Sequence, residues 1–168
     1  MNYTLPAFSR RRFATAVGSL AITGALAGCT GNEESGDADD PDQRIHKHMQ
    51  GANLYAGDIE DETGEDEVVI QVGGGDEGVA FDPPAVRIYA EATVHWEWTG
   101  AGGAHNVASV DGSDEEFRSG NPVSGSGETF DRSFDGGVQL YVCEPHQGSG
   151  MRGAIEVIAP SGGRGGGY

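Results

Sequence analysis

The chain has 168 residues, with 27 Asp and Glu against 10 Lys and Arg and a formal charge of −17 at pH 7. A surface of that sign repels a phosphate backbone, which excludes nucleic acid as a partner. Only two cysteines occur, Cys29 and Cys143, too few for the disulfide framework of a small secreted scaffold.

The chain opens on an address. Ser9-Arg10-Arg11-Arg12-Phe13 precedes an apolar, small-residue run from Ala14 to Gly28. The pattern is that of a twin-arginine export signal, and the run is too short and too rich in Gly and Ala for a spanning helix. Leu26-Ala27-Gly28-Cys29 reads as a lipobox, in which Cys29 is lipidated and becomes the mature N-terminus. The first 28 residues hold three arginines and no acid, so the product starting at Cys29 keeps 7 basic against 27 acidic residues, a charge of −20. Acids lie both in the following tail and between the strand-like runs, which favours adaptation to very high salt over a merely acidic tail. Self-repulsion at this charge is largely screened once the Debye length falls to about 3 Å, near 1 M salt.

Thr30 to about Arg44 is nearly devoid of apolar residues. It cannot bury enough surface to offset its ordering entropy and is expected to be a solvated, extended linker. Within the acidic stretch 29–66, Ile45, Met49 and Leu54 are placed to form a short helix packing on the domain, before Asp58 to Glu67 returns to acidic loop. The domain itself spans 67–159. Val68 to Val72, Ala85 to Tyr89 and Ala154 to Ile158 are β runs, and in Thr93 to Trp98 the residues Val94, Trp96 and Trp98 share one face while His95 and Glu97 share the other. Thr129 to Phe134 and Val138 to Val142 predict a hairpin around Asp135-Gly136-Gly137. Short strands with Gly and Pro punctuation predict an all-β sandwich. Residues 160–168 form a Gly-rich tail.

The chemistry is concentrated in Cys143-Glu144-Pro145-His146-Gln147-Gly148-Ser149-Gly150-Met151. A thiolate, an imidazole and a thioether in one nine-residue loop suit a soft, redox-active metal, copper above all. A trigonal site needs a second imidazole, and His105 in Gly103-Ala104-His105-Asn106 supplies it. Zinc accepts Cys and His but rarely uses Met in structural sites. His95 lies on a polar strand face, and His46 and His48 fall outside the domain; none of them is expected to hold the metal. Trp96 and Trp98 read as core, and the acids of 31–67 lack the spacing of an EF-hand.

The C-x-x-H-x-x-x-x-M loop, the upstream His105-Asn106 pair and Trp96-Glu97-Trp98-Thr99-Gly100 together resemble the cupredoxins, and within them the archaeal halocyanins and then the plastocyanins. The resemblance covers about Val68 to Ile158. It implies a Greek-key β-sandwich and one type 1 (blue) copper ion held by His105, Cys143, His146 and an axial Met151. Asn106 would tie the two ligand loops together and help hold the thiolate. It further implies a one-electron carrier rather than an enzyme, a small monomeric protein that docks membrane redox proteins near His146, where Pro145, Gln147, Gly148 and Met151 surround the imidazole edge. Two positions depart from the pattern. Val142 stands where relatives often have an aromatic residue, with Tyr141 one place earlier, and Glu144 stands where plastocyanin commonly has Ser. Pro145 has no N–H to give the sulfur, which is expected to leave the thiolate electron-rich and the potential low. The alternatives are a module of a copper nitrite reductase or oxidase system, which needs a second copper centre, and a copper-storage module, which ordinarily offers exposed Met and His.

Overall fold

A computed structural model describes residues 40–160. The export signal, Cys29, residues 30–39 of the expected linker and the tail from 161 onward lie outside the described residues. Among the described residues no helix is long and apolar enough to cross a membrane.

The first element is a helix, α1 (Pro41–His48). Its start follows from local chemistry. The Asp40 carboxylate caps the Gln43 N–H at 3.0 Å, Pro41 occupies the first turn where no N–H is needed, and His46, Lys47 and His48 sit at the negative end of the dipole. Ile45 and Met49, four residues apart, are both fully buried. The expected linker therefore ends by Asp40, and Arg44 belongs to a docked helix. Leu54 does not: it follows the helix in a left-handed conformation (φ 65°) and is half exposed.

Among the described residues nine strands follow: β1 (Glu60–Asp61), β2 (Glu67–Gly74), β3 (Ala80–Asp82), β4 (Ala85–Tyr89), β5 (Thr93–Thr99), β6 (Ala108–Ser109), β7 (Ser126–Ser133), β8 (Gly137–Val142) and β9 (Arg152–Ile158). They form two sheets, ordered β1-β4-β9-β8-β6 and β3-β2-β5-β7. β1 with β4, β2 with β5 and β4 with β9 are parallel pairs, and the other four pairs of this Greek-key sandwich are antiparallel. β5 alternates as expected, with Val94, Trp96 and Trp98 buried. The predicted hairpin is not formed. β7 pairs with β5 and β8 with β9, so Asp135-Gly136-Gly137 carries the chain from one sheet to the other. The strand runs were legible, but a short Gly turn between two such runs is the same local signal whether the second strand pairs back or crosses the sandwich.

Between the sheets lies a core containing Ile70, Val72, Phe81, Ile88, Val94, Trp96, Phe117, Tyr141, Cys143 and Met151. Trp96 is its centre, in ring contact with Phe117, Phe130, Phe134 and Tyr141 at centroid separations of 5.4–6.4 Å. A second cluster joins Ile45 and Met49 of α1 to Ala85, Val138, Leu140 and Ala154 on the outer face of the five-stranded sheet. Two ion pairs flank that contact: Arg44 with Asp114 at 2.7 Å and Arg87 with Asp42 at 2.9 Å. Arg87 also pairs with the buried Glu156 of β9, which satisfies a carboxylate that burial alone would penalise.

Candidate metal centre

β8 delivers Cys143 to one end of the sandwich. Tyr141 and Cys143, two residues apart, both point into the core, as strand periodicity requires. Beyond Cys143 the chain turns at once into a 3-10 helix, Glu144–Ser149, with Pro145 in its first turn. The turn ends at Gly150, whose φ of 86° is left-handed, and the chain re-enters the sheet at β9. His146 is thereby folded back beside Cys143, and Met151 is fully buried at the start of β9. The loop closes on itself through Cys143 N–H to Met151 O and Met151 N–H to His146 O, both 3.1 Å.

The second imidazole comes from the connection between β5 and β6. His105 is fully buried and bridges Val123 by a reciprocal pair of 2.9 Å backbone hydrogen bonds. The indole Nε1 of Trp98 donates to His105 O at 3.0 Å, and His105 Nε2 donates to Ala101 O at 2.8 Å. The last bond fixes the tautomer: with the proton on Nε2, the Nδ1 lone pair faces the cavity.

Three donor atoms then converge. Cys143 Sγ lies 3.5 Å from His105 Nδ1 and 3.5 Å from His146 Nδ1, and the two nitrogens are 3.1 Å apart. A point equidistant from three atoms so spaced lies about 2 Å from each, close to metal–imidazole and metal–thiolate bond lengths of about 2.0–2.3 Å. The donor set therefore fits a metal ion held between the three atoms. Among the described residues this is the one group of three or more His, Cys and acidic side chains arranged to hold an ion. His95, His46 and His48 are not part of it. His95 is clasped by Asp131 at 2.7 Å on the sheet surface. His46 meets Tyr55, and His48 donates to the backbone O of Tyr141 at 3.1 Å, so these two histidines anchor α1 rather than standing idle.

The protonation of the site suits a ligand set. Burial, more than the proximity of His146, lowers the His105 pKa, so the ring stays neutral. Burial raises the Cys143 thiol, while the backbone N–H groups of Asn106 and His146 pull it back. Metal binding would displace that proton. Pro145 gives the sulfur nothing, but these two amides do act on it.

Asn106 links the two loops through its side chain. Its Oδ1 accepts the Glu144 N–H at 3.0 Å, and its Nδ2 donates to Glu144 Oε2 at 2.6 Å and to Gly120 O at 3.1 Å. The residue missed by sequence reasoning is Arg118. Its guanidinium grips Glu144 with both arms, Nη1 to Oε1 at 2.6 Å and Nη2 to Oε2, and this, with the Asn106 bond, lowers the Glu144 pKa. The carboxylate next to the thiolate is thus compensated by a neighbouring cation. The available signal was a single Arg following the acids Asp111, Asp114, Glu115 and Glu116. One surface expectation also changes. Pro145, Gln147 and Gly148 are exposed around the half-buried His146, joined by Ala101, Gly102 and Gly103, whereas Met151 is wholly internal.

The family model for copper binding proteins of the plastocyanin/azurin family matches residues 67–158. The chain belongs to this family. It is 48% identical to a halocyanin from Natronomonas pharaonis over 159 residues, covering 89% of this chain and 97% of that protein. It is 35% identical to a plastocyanin from Scenedesmus fuscus over 101 residues, covering 54% of this chain and 99% of the alga's protein. Among solved structures, a purple cupredoxin from Nitrosopumilus maritimus is 25% identical, with a TM-score of 0.44, and the match covers 54% of this chain and 99% of that one. The plastocyanin likeness is confined to about a domain's length, while the halocyanin likeness extends well beyond it. The protein is a halocyanin-like cupredoxin, and its cofactor is copper.

Proposed function

We propose that the protein is a one-electron carrier with a single type 1 copper ion. In this reading His105, Cys143, His146 and Met151 would hold the ion, and a lipid on Cys29 holds the domain at the outer face of the cell membrane after twin-arginine export. The observation that carries the reading is the convergence of one sulfur and two imidazole nitrogens on a point about 2 Å from each. Copper supplies the electron chemistry by alternating between Cu(II) and Cu(I), both of which accept this mixed donor set.

The chain's own contribution is to keep the donors still. His105 is held at its ring by Ala101 and at its backbone by Val123 and Trp98. Cys143 and His146 are both bonded through Met151's backbone. Ligands pinned in this way move little when the charge on the ion changes, which keeps transfer fast. His105, Cys143 and Met151 are fully buried, which keeps water from the metal, while the half-buried His146 offers an edge to the surface. The exposed residues around that edge, Ala101 to Gly103, Pro145, Gln147 and Gly148, carry no charge. Membrane-bound redox proteins dock there through a small, weak interface of the kind such encounters use. The acidic remainder of the surface suits solution in high salt.

The single ligand group among the described residues favours a carrier over a self-contained oxidase or nitrite reductase, which needs a second centre. Burial of the ligands favours a carrier over storage. Visible and EPR spectroscopy of the copper-loaded chain in molar salt tests the reading. An intense blue band that bleaches on reduction, and is lost in a folded Cys143→Ser variant, is the expected result; a colourless wild-type protein that binds Cu(I) reversibly overturns it. Separately, Cys29→Ala should move the protein from membranes to the soluble fraction, and unchanged membrane association would refute the anchor.

A further inference from the structure

We infer that Asn53, in the segment ahead of the copper domain, is a positioning residue for the metal loop. The inference rests on the copper reading above, and concerns how the ligand loop is held rather than which residues bind. Asn53 precedes the 67–158 span matched by the family model, yet it touches the far end of the ligand loop at two points and a neighbouring loop at a third. Its backbone N–H donates to Gly150 O at 2.9 Å. Its side-chain Nδ2 donates to Ser149 O at 2.8 Å and to Val79 O at 2.8 Å. Both hydrogens of the amide are used. Ser149 and Gly150 immediately precede Met151, and their carbonyls lie at the end of the 3-10 helix, where helical partners run out.

The third contact extends the clamp across the site. Val79 follows Gly78, and Gly78 packs so closely on Ala101 and Gly102 that a Cβ on either glycine would overlap backbone of the other loop. Ala101 O is the acceptor that orients His105. Asn53 thus joins the loop bearing Met151, through the 78–79 loop, to the loop that holds His105. The same approach is tight at Gly150, where an added Cβ would lie 2.5 Å from Gly51 O and 3.1 Å from Asn53 Oδ1. The segment is fixed on its other side by the buried Ile45 and Met49 and by the bond from Arg152 Nη1 to His48 O at 3.2 Å. It is a rigid base for the clamp, not a passing loop.

The test uses the full-length, copper-loaded chain. Asn53→Asp keeps the shape but turns a carboxylate toward two carbonyls; Asn53→Ala only truncates. Val94→Ala, in the core-facing strand β5 and outside this segment, is the reference for plain destabilisation. Both Asn53 variants should change the copper EPR hyperfine pattern and the ratio of the visible bands, and should lose copper to a chelator roughly 10-fold faster, as outer-shell substitutions do. Val94→Ala should lower Tm with the wild-type spectrum. Asn53 variants with a wild-type spectrum and copper-loss rate would overturn the inference. Should neither variant fold, wild-type hydrogen exchange decides: because coupling is reciprocal, copper loading must increase protection of the Asn53 amide. Equal protection in the apo and loaded chains refutes the clamp. A wild-type chain that takes up no copper refutes the electron-carrier reading instead.

Discussion

The two sheets of the sandwich live in different solvents. In the five-stranded sheet, β9 is buried along its length, with the core on one face and α1 on the other. In the four-stranded sheet, β5 alternates, and β7 turns mostly exposed residues outward, among them Glu128 and Asp131. The metal loop hangs between β8 and β9, two neighbouring interior strands of the doubly covered sheet. The strands that carry Cys143 and Met151 are those with packing on both sides, while His105 is held from the four-stranded sheet by Trp98. The difference shows what the segment before the domain is for: it converts a half-exposed sheet into a buried one.

This contrast can be broken in graded steps. The largest effect is expected at the centre that both sheets share. Trp96→Ala leaves a cavity ringed by Phe117, Phe130, Phe134 and Tyr141 and should cost about 3–5 kcal/mol by denaturant unfolding. Next, Ile45→Ala removes the fully buried anchor of α1 and should cost about 2–4 kcal/mol by the same measurement. Third, Asp114 receives Arg44 of α1 and the Val138 N–H at 2.7 Å. Asp114→Ala should cost about 1–2 kcal/mol, since the pair is partly exposed. The hydrogen bonds from Arg44, then Val138, hold the Asp114 carboxyl below the ordinary aspartate range. A depressed carboxylate contributes stability above the ordinary value and loses it as the pH falls through the lowered one. Acid unfolding followed in Asp114→Asn should therefore show a shallower loss of stability in that window than wild type. The smallest effect belongs to the exposed sheet: His95→Ala breaks its contacts with Asp131 and Glu67 and should change stability by no more than about 0.5 kcal/mol. A large His95 effect would erase the distinction between the sheets.

Much of the site was legible because its ligands are chemically rare and closely spaced. Cys143, His146 and Met151 lie within nine residues, and no common structural role calls for that combination. His105 was reachable through its neighbour Asn106, whose side chain does cross to the Cys143 loop. Arg118 was not reachable in that way, because its partner Glu144 is 26 residues distant and nothing local marks an arginine as facing a particular carboxylate. The crossing of β7 to β8 was equally hidden, since strand-forming residues record that a segment is extended, not which neighbour it will pair with.

The sequence by itself determined the strand composition, the alternation that puts Trp96 inside and the donor types available to a metal, because these depend on side-chain chemistry and on the two-residue period of an extended chain. Only the tertiary structure decided that α1 would cover the outer face, that Arg118 would answer Glu144, and that Asn53 would reach the metal loop. Those contacts join residues up to about a hundred positions apart, and they exist only once the sheets have brought the loops to the same end of the sandwich.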